Sequence, residues 1–403
     1  MHANLGKSAV RPETCAEALE LYREVNASLE KDHGITIFLC GDVMTGRGID
    51  QIMSFSCEPV LYEPYVKDAR DYVRLAERAN GPIPRSVLPS YIWGDALDEL
   101  EVVRPDLRIV NLETSVTQNG SPWPDKEIHY RMHPKNVSAL IAAKIDICSL
   151  ANNHILDWGY TGLLETISTL KGTNIKTAGA GRNKTEAQMA ATKSVSGKGS
   201  VIFFSFGSDS SGIPRDWAAT DNRPGINLLP DLSDRRILDI GEKSAALKRQ
   251  GDIVILSIHW GGNWGYSIPD RQIIFAHKLI DEAGVDVIHG HSSHHVRGIE
   301  VYRGKLILYG CGDFLNDYEG ISGYEEFRND LGVMYFAEID PKSGRLAHLR
   351  MSPTWVKNFR VNRASSAEAA WIGDVLAREG KKFGTSVELE PNNTLDLKWH
   401  DQP

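Results

Sequence analysis

The sequence lacks the features that would place it in a membrane or on nucleic acid. It has no apolar run of about 18 residues, the length that a membrane-spanning helix needs. Its first seven residues contain no apolar segment of the kind found in a secretion signal. It has no long run of lysine or arginine, and its formal net charge is −8, which argues against a general nucleic-acid-binding protein. We therefore expect a cytoplasmic protein with no membrane span.

Cysteine is also scarce. The five cysteines are scattered along the chain and odd in number, at Cys15, Cys40, Cys57, Cys148 and Cys311. Cys40 and Cys148 stand in apolar, strand-like contexts. This pattern predicts buried free thiols in a reducing compartment rather than a disulfide framework.

What the chain does contain is an alternation of strand-like and helix-like segments over 403 residues, 41% of them hydrophobic. Such alternation predicts an α/β fold with active residues at the carboxyl ends of the strands. The predicted divisions are an N-terminal helical extension at 1–34, a main domain at 35–355 with a proline-punctuated insertion at about 50–95, and a C-terminal helix and frayed tail at 356–403. The insertion is typical either of a lid over a site or of plain packing.

Polar side chains follow five of the predicted strands. They are Asp42, Glu113, Asn153 with His154, His259, and His291 with His294 or His295. Each of these alone has an ordinary explanation, since a single histidine near an apolar run is usually a packed or surface residue. Five strand ends of this kind together indicate a metal site, because ionisable groups at the edge of a core must be paired or liganded.

Three further residues are candidates for roles around that site. Asp157 lies three positions after His154 and could orient its imidazole. Arg47 and Arg131 could hold a carboxylate or phosphate of a substrate. Either arginine could instead pair with a nearby aspartate or glutamate.

The ordered motifs of the chain resemble a known family. They are Gly-Asp-Val-Met-x-Gly-Arg at 41–47, Asn-Leu-Glu at 111–113, Ala-Asn-Asn-His-x-Leu-Asp-x-Gly at 151–159, Ile-His-Trp-Gly at 258–261 and Gly-His-Ser-Ser-His-His at 290–295. This set resembles the CapA-type capsule or poly-γ-glutamate synthesis family of the calcineurin-like metallophosphoesterase superfamily, over roughly residues 35 to 320.

The resemblance implies a two-sheet αββα sandwich and a centre of one or two divalent metal ions, such as Zn²⁺, Mn²⁺ or Ca²⁺. It implies that the metal ligands are Asp42, Glu113, Asn153, His259, His291 and one of His294 and His295. It also implies that His154 is the non-ligand acid or base that contacts substrate. His294 is taken as the ligand and His295 as a second proton-transfer candidate.

The chain departs from the superfamily pattern at Met44, which stands where the first motif has histidine. A thioether is a poor ligand for hard divalent ions, so one metal position is expected to be weak. A single ion favours chemistry at an acyl carbonyl over cleavage of a phosphate ester. Known capsule-synthesis members are also membrane-anchored, whereas this chain shows no anchor.

These observations support one leading hypothesis and three rivals. The leading hypothesis is a metal-dependent enzyme that acts at an acyl or amide centre of an anionic polymer or peptide, such as a γ-glutamyl chain. The rivals are a phosphomonoesterase or phosphodiesterase, a peptide epimerase that moves a proton at an α-carbon, and a non-catalytic scaffold of capsule assembly.

Overall fold

The first strand of the domain sends alternate side chains into two different hydrophobic layers. In a computed structural model that describes residues 34–400, Ile37 and Leu39 point to one layer and Phe38 and Cys40 to the other. This alternation, with β-branched and aromatic residues, is what a strand buried on both faces requires. The helix predicted over 1–34 falls outside the described residues, except for Gly34.

The strands in chain order are β1 Ile35–Leu39, β2 Asp42–Val43, β3 Leu107–Leu112, β4 Ser115–Val116, β5 Arg131–Met132, β6 Ile147–Ser149, β7 Lys176–Ala178, β8 Ala180–Gly181, β9 Ala191–Val195, β10 Gly199–Ser208, β11 Gly225–Ile226, β12 Leu228–Leu229, β13 Ile253–His259, β14 Val287–His291, β15 Ile299–Tyr302, β16 Lys305–Leu308, β17 Asp313–Leu315, β18 Leu331–Ile339, β19 Leu346–Lys357, β20 Arg360–Arg363, β21 Thr385–Leu389 and β22 Leu395–Trp399. The α-helices are α1 Arg47–Ile52, α2 Arg70–Asn80, α3 Asp95–Val103, α4 Ser138–Ala142, α5 Gly159–Lys171, α6 Lys184–Ala187, α7 Asp234–Leu247, α8 Asp270–Ala283 and α9 Ser366–Gly380.

Two large sheets contain most of these strands. The first has 11 strands, with the path β17-β2-β3-β1-β18-β19-β22-β21 and with β6, β7 and β20 attached at its sides. The second has seven strands, with the path β12-β10-β13-β14-β16-β15 and with β9 beside β10. In the first sheet the neighbouring strands β17, β2, β3 and β1 run parallel. In the second sheet β10, β13 and β14 run parallel. Within each set, the carboxyl ends of the strands lie at the same edge of the sheet.

The sheets pack face to face, with helices on both outer faces. One buried cluster joins Ile37 and Ile109 of the first sheet to Phe203 and Ile255 of the second. Two further clusters line the outer faces, one beneath α2 and α3 and the other beneath α7 and α8. The predicted αββα layering is therefore confirmed, and it is metallophosphoesterase-like.

The C-terminal region differs from its prediction. The predicted helix is present as α9, where the Ser365 side chain and the Glu368 side chain form a capping box. The predicted frayed tail is wrong for residues 385–399, because β21 and β22 form a hairpin whose second strand pairs with β19 of the first sheet. Leu395 and Leu397 are buried there, and their alternation is the signal that the polar and proline-containing composition obscured.

The insertion and the cysteines complete the description of the domain. The insertion packs on the core of the first sheet through Leu61, Tyr72 and Ile83. Its helix α2 runs from Arg70 to Asn80. Four of the cysteines lie in the described range and are buried and free, as predicted. Within residues 34–400, no helix has the length and apolar character that a membrane span requires.

Candidate metal centre

Strand register gathers the polar residues of the two sheets at one edge. Asp42 of β2 lies between Asp313 of β17 and Asn111 of β3, its partners in the two ladders. In the second sheet His259 ends β13 directly opposite His291, which ends β14. His259 and His291 end their strands, whereas Asp42 and Asp313 begin the short strands β2 and β17. The parallel pairing aligns these residues with Asn111 and brings the five side chains to the same edge. Ordinary strand pairing thus assembles the site.

The first group of donors consists of Asp42, His259 and His291. Their ligand atoms all lie within 4.8 Å of one another, and all three residues are buried. The Nδ1 atoms of the two histidines are 2.7 Å apart, and Nδ1 of His291 is 3.8 Å from Oδ1 of Asp42. Oδ1 of Asn153 lies 2.9 Å from Nε2 of His259. Burial lowers the pKa of both imidazoles well below the usual range, so both rings are neutral at pH 7.

The second group consists of Asp42 again, with His294 and Asp313. Nδ1 of His294 is 2.9 Å from Oδ1 of Asp313, whose other oxygen accepts a hydrogen bond of 2.8 Å from Nδ2 of Asn316. Burial opposes the charged form of His294, but the Asp313 carboxylate outweighs burial and raises the pKa of that imidazole. Asp42 is therefore common to both groups.

Buried carboxylates crowd the centre of the site. Nδ2 of Asn111 donates to Oδ1 of Asp42 at 2.7 Å and to Oε2 of Glu113 at 3.3 Å. Burial raises the pKa of Asp42, and the nearby Asp313 carboxylate raises it further. Burial and the Asp42 charge likewise raise the pKa of Glu113 well above its usual value. Glu113 thus lies beside Asp42 but outside both donor groups.

A histidine and an aspartate form a separate pair next to the donors. Nδ1 of His154 is 2.6 Å from Oδ2 of Asp157, as the spacing of three residues predicted, and its Nε2 is 3.7 Å from Oε1 of Glu113. The ammonium of Lys126 contacts Asp157 and lies 3.0 Å from Nδ1 of His154. Burial, assisted by the Lys126 charge, lowers the pKa of His154 to about 4. The imidazole is therefore neutral at pH 7 and able to accept a proton.

His295 lies in different surroundings from His294. Its Nδ1 is 3.0 Å from the carbonyl oxygen of Val296, and its buried Nε2 has no hydrogen-bond partner among residues 34–400. The rings of Tyr266 and Phe327 are each 4.7 Å from the imidazole, and that of Trp264 is 6.3 Å away. Geometry thus separates the two adjacent histidines: His294 joins a donor group, and His295 joins an aromatic cluster. A role for His295 in proton transfer stays a prediction.

The two arginines differ in how strongly the protein engages them. Arg47 is buried, and its guanidinium bonds the carboxylates of Asp317 and Glu63. Arg131 is partly exposed, stacks 3.7 Å from the ring centroid of Trp158 and donates to a backbone carbonyl. These contacts favour the ion-pair alternative for Arg47, whereas Arg131 keeps a surface from which it could reach a substrate.

Sequence reasoning missed several residues of the site. They are Asn111, Lys126, Ser257, His289, Asp313 and Asn316. Asp313 carried a usable signal, because Gly312-Asp313 follows an apolar strand just as Gly41-Asp42 does. Lys126 carried none, since it lies in a polar loop between Pro124 and the strand β5. Its contact with His154 and Asp157 becomes evident only once the loop is folded.

The donors fit a divalent cation. Two neutral imidazole nitrogens 2.7 Å apart and a carboxylate shared with a second group are the nitrogen and oxygen ligands that Zn²⁺ and Mn²⁺ accept in proteins. Ca²⁺ prefers oxygen ligands alone and fits less well. Met44 does not limit the second group, because Asp313 and His294 supply its donors. Each group could therefore hold one ion.

Comparison with known proteins agrees with this architecture. Residues 36–318 match a family described as "Bacterial capsule synthesis protein PGA_cap". A probable polyglutamine synthesis accessory protein of Mycobacterium tuberculosis strain H37Rv is 47% identical over 364 residues, which cover 90% of this chain and 96% of the relative.

Two Bacillus proteins are more distant relatives. The PGA biosynthesis protein CapA of Bacillus subtilis strain 168 is 32% identical over 226 residues, or 56% of each chain. The capsule biosynthesis protein CapA of Bacillus anthracis is 26% identical over 288 residues, which cover 70% of this chain and 60% of the relative. Residues 36–318, which match the capsule synthesis family, include every donor of both groups. The chain therefore belongs to the PGA_cap family, the CapA family of bacterial capsule synthesis proteins.

Proposed function

We propose that this protein is a metal-dependent enzyme that acts at an amide carbonyl of a γ-glutamyl polymer or peptide. The observation that carries the proposal is the buried Asp42 carboxylate shared by two groups of donors. Buried carboxylates and neutral imidazoles at this density are costly unless a cation or protons compensate them. The relatives named for polyglutamine and PGA synthesis suggest the glutamyl substrate.

Five side chains would hold the metal. His259, His291 and Asp42 would bind one ion, and Asp42, His294 and Asp313 would bind the other. When bound, such an ion polarises a carbonyl or phosphoryl oxygen and lowers the pKa of a water molecule. Glu113 and Asn153 flank these ligands and complete the polar wall of the site.

His154 is the proposed proton-transfer residue. A carboxylate only accepts hydrogen bonds, so Asp157 holds the ring proton of His154 on Nδ1 and leaves a lone pair on Nε2. Nε2 lies 3.7 Å from Oε1 of Glu113, which is next to Asp42. A neutral imidazole in this position can take a proton from an attacking nucleophile and return it to a departing amine. Lys126 compensates the buried charge of Asp157 and so keeps the pair in place.

Phosphoester hydrolysis is the second candidate, and one specific feature favours it. Two adjacent ions with a shared carboxylate can hold the attacking and departing oxygens of a displacement at phosphorus, an arrangement seen in phosphatases and nucleases. The sequence alone favoured one ion, because Met44 is a poor ligand. The second donor group does not include Met44, so a second ion no longer depends on that residue. A phosphate ester is therefore a candidate substrate beside the γ-glutamyl amide.

The test offers the purified protein, loaded with Zn²⁺ or Mn²⁺, either poly-γ-glutamate or nitrophenyl phosphate. We expect new amine ends and shorter glutamyl chains, with a loss of about 10²–10⁴-fold in rate in His154→Gln, the usual contribution of general acid–base catalysis. The matched control is His348→Gln, which removes a half-exposed imidazole on β19 and should leave the rate unchanged.

Each rival has its own result in the same experiment. Release of nitrophenol without polymer cleavage would support the phosphoesterase. Uptake of deuterium at α-carbons without cleavage would support the epimerase. Polymer binding that is indifferent to Asp42→Asn, with no turnover, would support the scaffold. Protein that binds neither Zn²⁺ nor Mn²⁺ would refute the metal-dependent proposal.

A further inference from the structure

A chain of hydrogen bonds lies behind His291, on the side away from Asp42. Nε2 of His291 is 2.8 Å from Oγ of Ser257, which is 3.2 Å from Nδ1 of His289. Nε2 of His289 is 2.7 Å from the carbonyl oxygen of Cys40. All four residues are fully buried. The chain thus connects the backbone of the first sheet to a donor of the first group.

Strand pairing builds this chain. Ser257 lies opposite His289 in the β13–β14 ladder, and two residues later His259 lies opposite His291. Since side chains alternate along a strand, all four point to the same side of the sheet. The sequence pattern is Ser-x-His on one strand and His-x-His on its neighbour. Ser257 and His289 are therefore held as firmly as the donors themselves.

The donor and acceptor roles in the chain follow from its fixed end. A carbonyl oxygen can only accept, so Nε2 of His289 carries the ring proton and donates to Cys40. Among residues 34–400 the hydrogen-bond partners of the His289 ring are Ser257 and Cys40, both uncharged, and a neutral imidazole has one ring proton. Nδ1 of His289 is then an acceptor, and the Ser257 hydroxyl donates to it.

The same reasoning extends to His291. Because the Ser257 hydroxyl directs its proton at His289, the Ser257 oxygen can only accept a hydrogen bond from His291. Nε2 of His291 must therefore donate, and Nδ1 of His291 keeps a lone pair. That lone pair points at Nδ1 of His259, 2.7 Å away. Nε2 of His259 faces the amide oxygen of Asn153, an acceptor, so His259 also directs an Nδ1 lone pair into the gap. Two opposed lone pairs are stabilised by a shared cation.

We propose that Ser257 and His289 are positioning residues that fix the Nε2-protonated tautomer of His291, so that its Nδ1 is held ready for a metal ion. The proposal rests on the metal-dependent function above. A purely structural role for Ser257 would leave the tautomer free to change, because a packed hydroxyl need not direct its proton. The tautomer of His291 therefore distinguishes a positioning role of Ser257 from a purely structural one.

The experiment combines a spectroscopic and a thermodynamic measurement. Nitrogen-15 correlation spectra of the metal-free, histidine-labelled protein identify which ring nitrogen of His291 is protonated. Competition with a chromophoric chelator gives the dissociation constant for Zn²⁺. We expect Ser257→Ala to lose the single Nε2-protonated signal and to weaken Zn²⁺ binding about 10–100-fold, as is usual for residues that orient a metal ligand.

Three variants make the result specific. Ser257→Thr keeps the hydroxyl and should restore the tautomer and the affinity. His289→Phe removes the acceptor and should reproduce the loss seen in Ser257→Ala. The matched control is Ser205→Ala, because Ser205 is buried on β10 directly opposite Ser257 but bonds Ser149 instead. It should change neither measurement.

Contrary outcomes are equally definite. Protonation of His291 at Nδ1 in the unaltered protein would overturn the proposal. So would an unchanged tautomer in Ser257→Ala and His289→Phe, or an equal loss in Ser205→Ala. If the unaltered protein binds no Zn²⁺, the proposed function fails, whereas the tautomer signal still decides whether Ser257 and His289 orient His291.

Discussion

Replacing Arg47 with methionine tests whether this arginine stabilises the fold or contacts a substrate. Its Nε and NH2 both bond the Asp317 carboxylate, and its NH1 donates to Glu63 at 3.0 Å and to the Tyr72 hydroxyl at 2.9 Å. The guanidinium also lies 4.3 Å from the ring centroid of Tyr130. The substitution would leave two buried carboxylates without a cation.

The expected loss of stability is large. Removing one partner of a buried ion pair typically costs about 3–5 kcal/mol, since the remaining charge stays buried. For a domain of this length, that corresponds to a fall of roughly 4–6 °C in the thermal midpoint. Arg47→Lys should lie in between, because an ammonium cannot bond Asp317 through two nitrogens.

Thermal and urea unfolding of the metal-free protein measure the effect. The matched control is Arg70→Met, which breaks an exposed ion pair with Asp68 and should change stability little, since surface pairs contribute little. If Arg47→Met were as stable as the unaltered protein but showed a raised KM, Arg47 would be a substrate contact, and the structural argument would be refuted.

Three other substitutions test separate parts of the structure. Asp313→Asn should remove one bound ion while the first donor group keeps its own, as elemental analysis of the loaded protein would show; unchanged metal content would contradict the second group. Burial raises the pKa of Asp50 from 3.8 to about 6 in the folded protein. The folded state therefore binds the carboxyl proton more tightly than the unfolded chain does. This stabilisation is fully present below pH 3.8 and is lost as the pH rises through 6. The stability of Asp50→Asn relative to the unaltered protein should therefore improve by about 3 kcal/mol between pH 3.5 and 7, and a difference independent of pH in urea unfolding would refute this. Gly41→Ala would place a Cβ 1.7 Å from the carbonyl oxygen of Gly312 and should lower the thermal midpoint sharply, whereas Gly262→Ala, with open space around it, should not.

The sequence was most informative where chemistry and periodicity coincide. An apolar run followed closely by Asp42 or ending in His259 indicates both a strand and a polar residue near its carboxyl end. In the structure, β1 ends three residues before Asp42 and β13 ends at His259. The His154 and Asp157 contact also followed from spacing alone, since three residues of a tight turn bring the two side chains together.

Other features depend on contacts between distant segments. Asp313 meets Asp42 only through the pairing of β17 with β2, and no local pattern specifies that pairing. Whether His294 or His295 joins the donors depends on the backbone between residues 291 and 295, where Ser292 adopts a φ of 101°. The β21–β22 hairpin was missed because its faces are only partly buried, which weakens the alternation of apolar residues.

The shared carboxylate has a consequence for how the domain assembles. Asp42 comes early in the domain, and its partners come from residues 259, 291, 294 and 313. A cation can therefore find all its ligands only after these two distant segments have packed together. A ligand that binds only the finished fold stabilises it by mass action, by about 2.7 kcal/mol at a hundredfold excess over its dissociation constant. If a metal ion occupies the site, its supply would then set how long the folded protein survives.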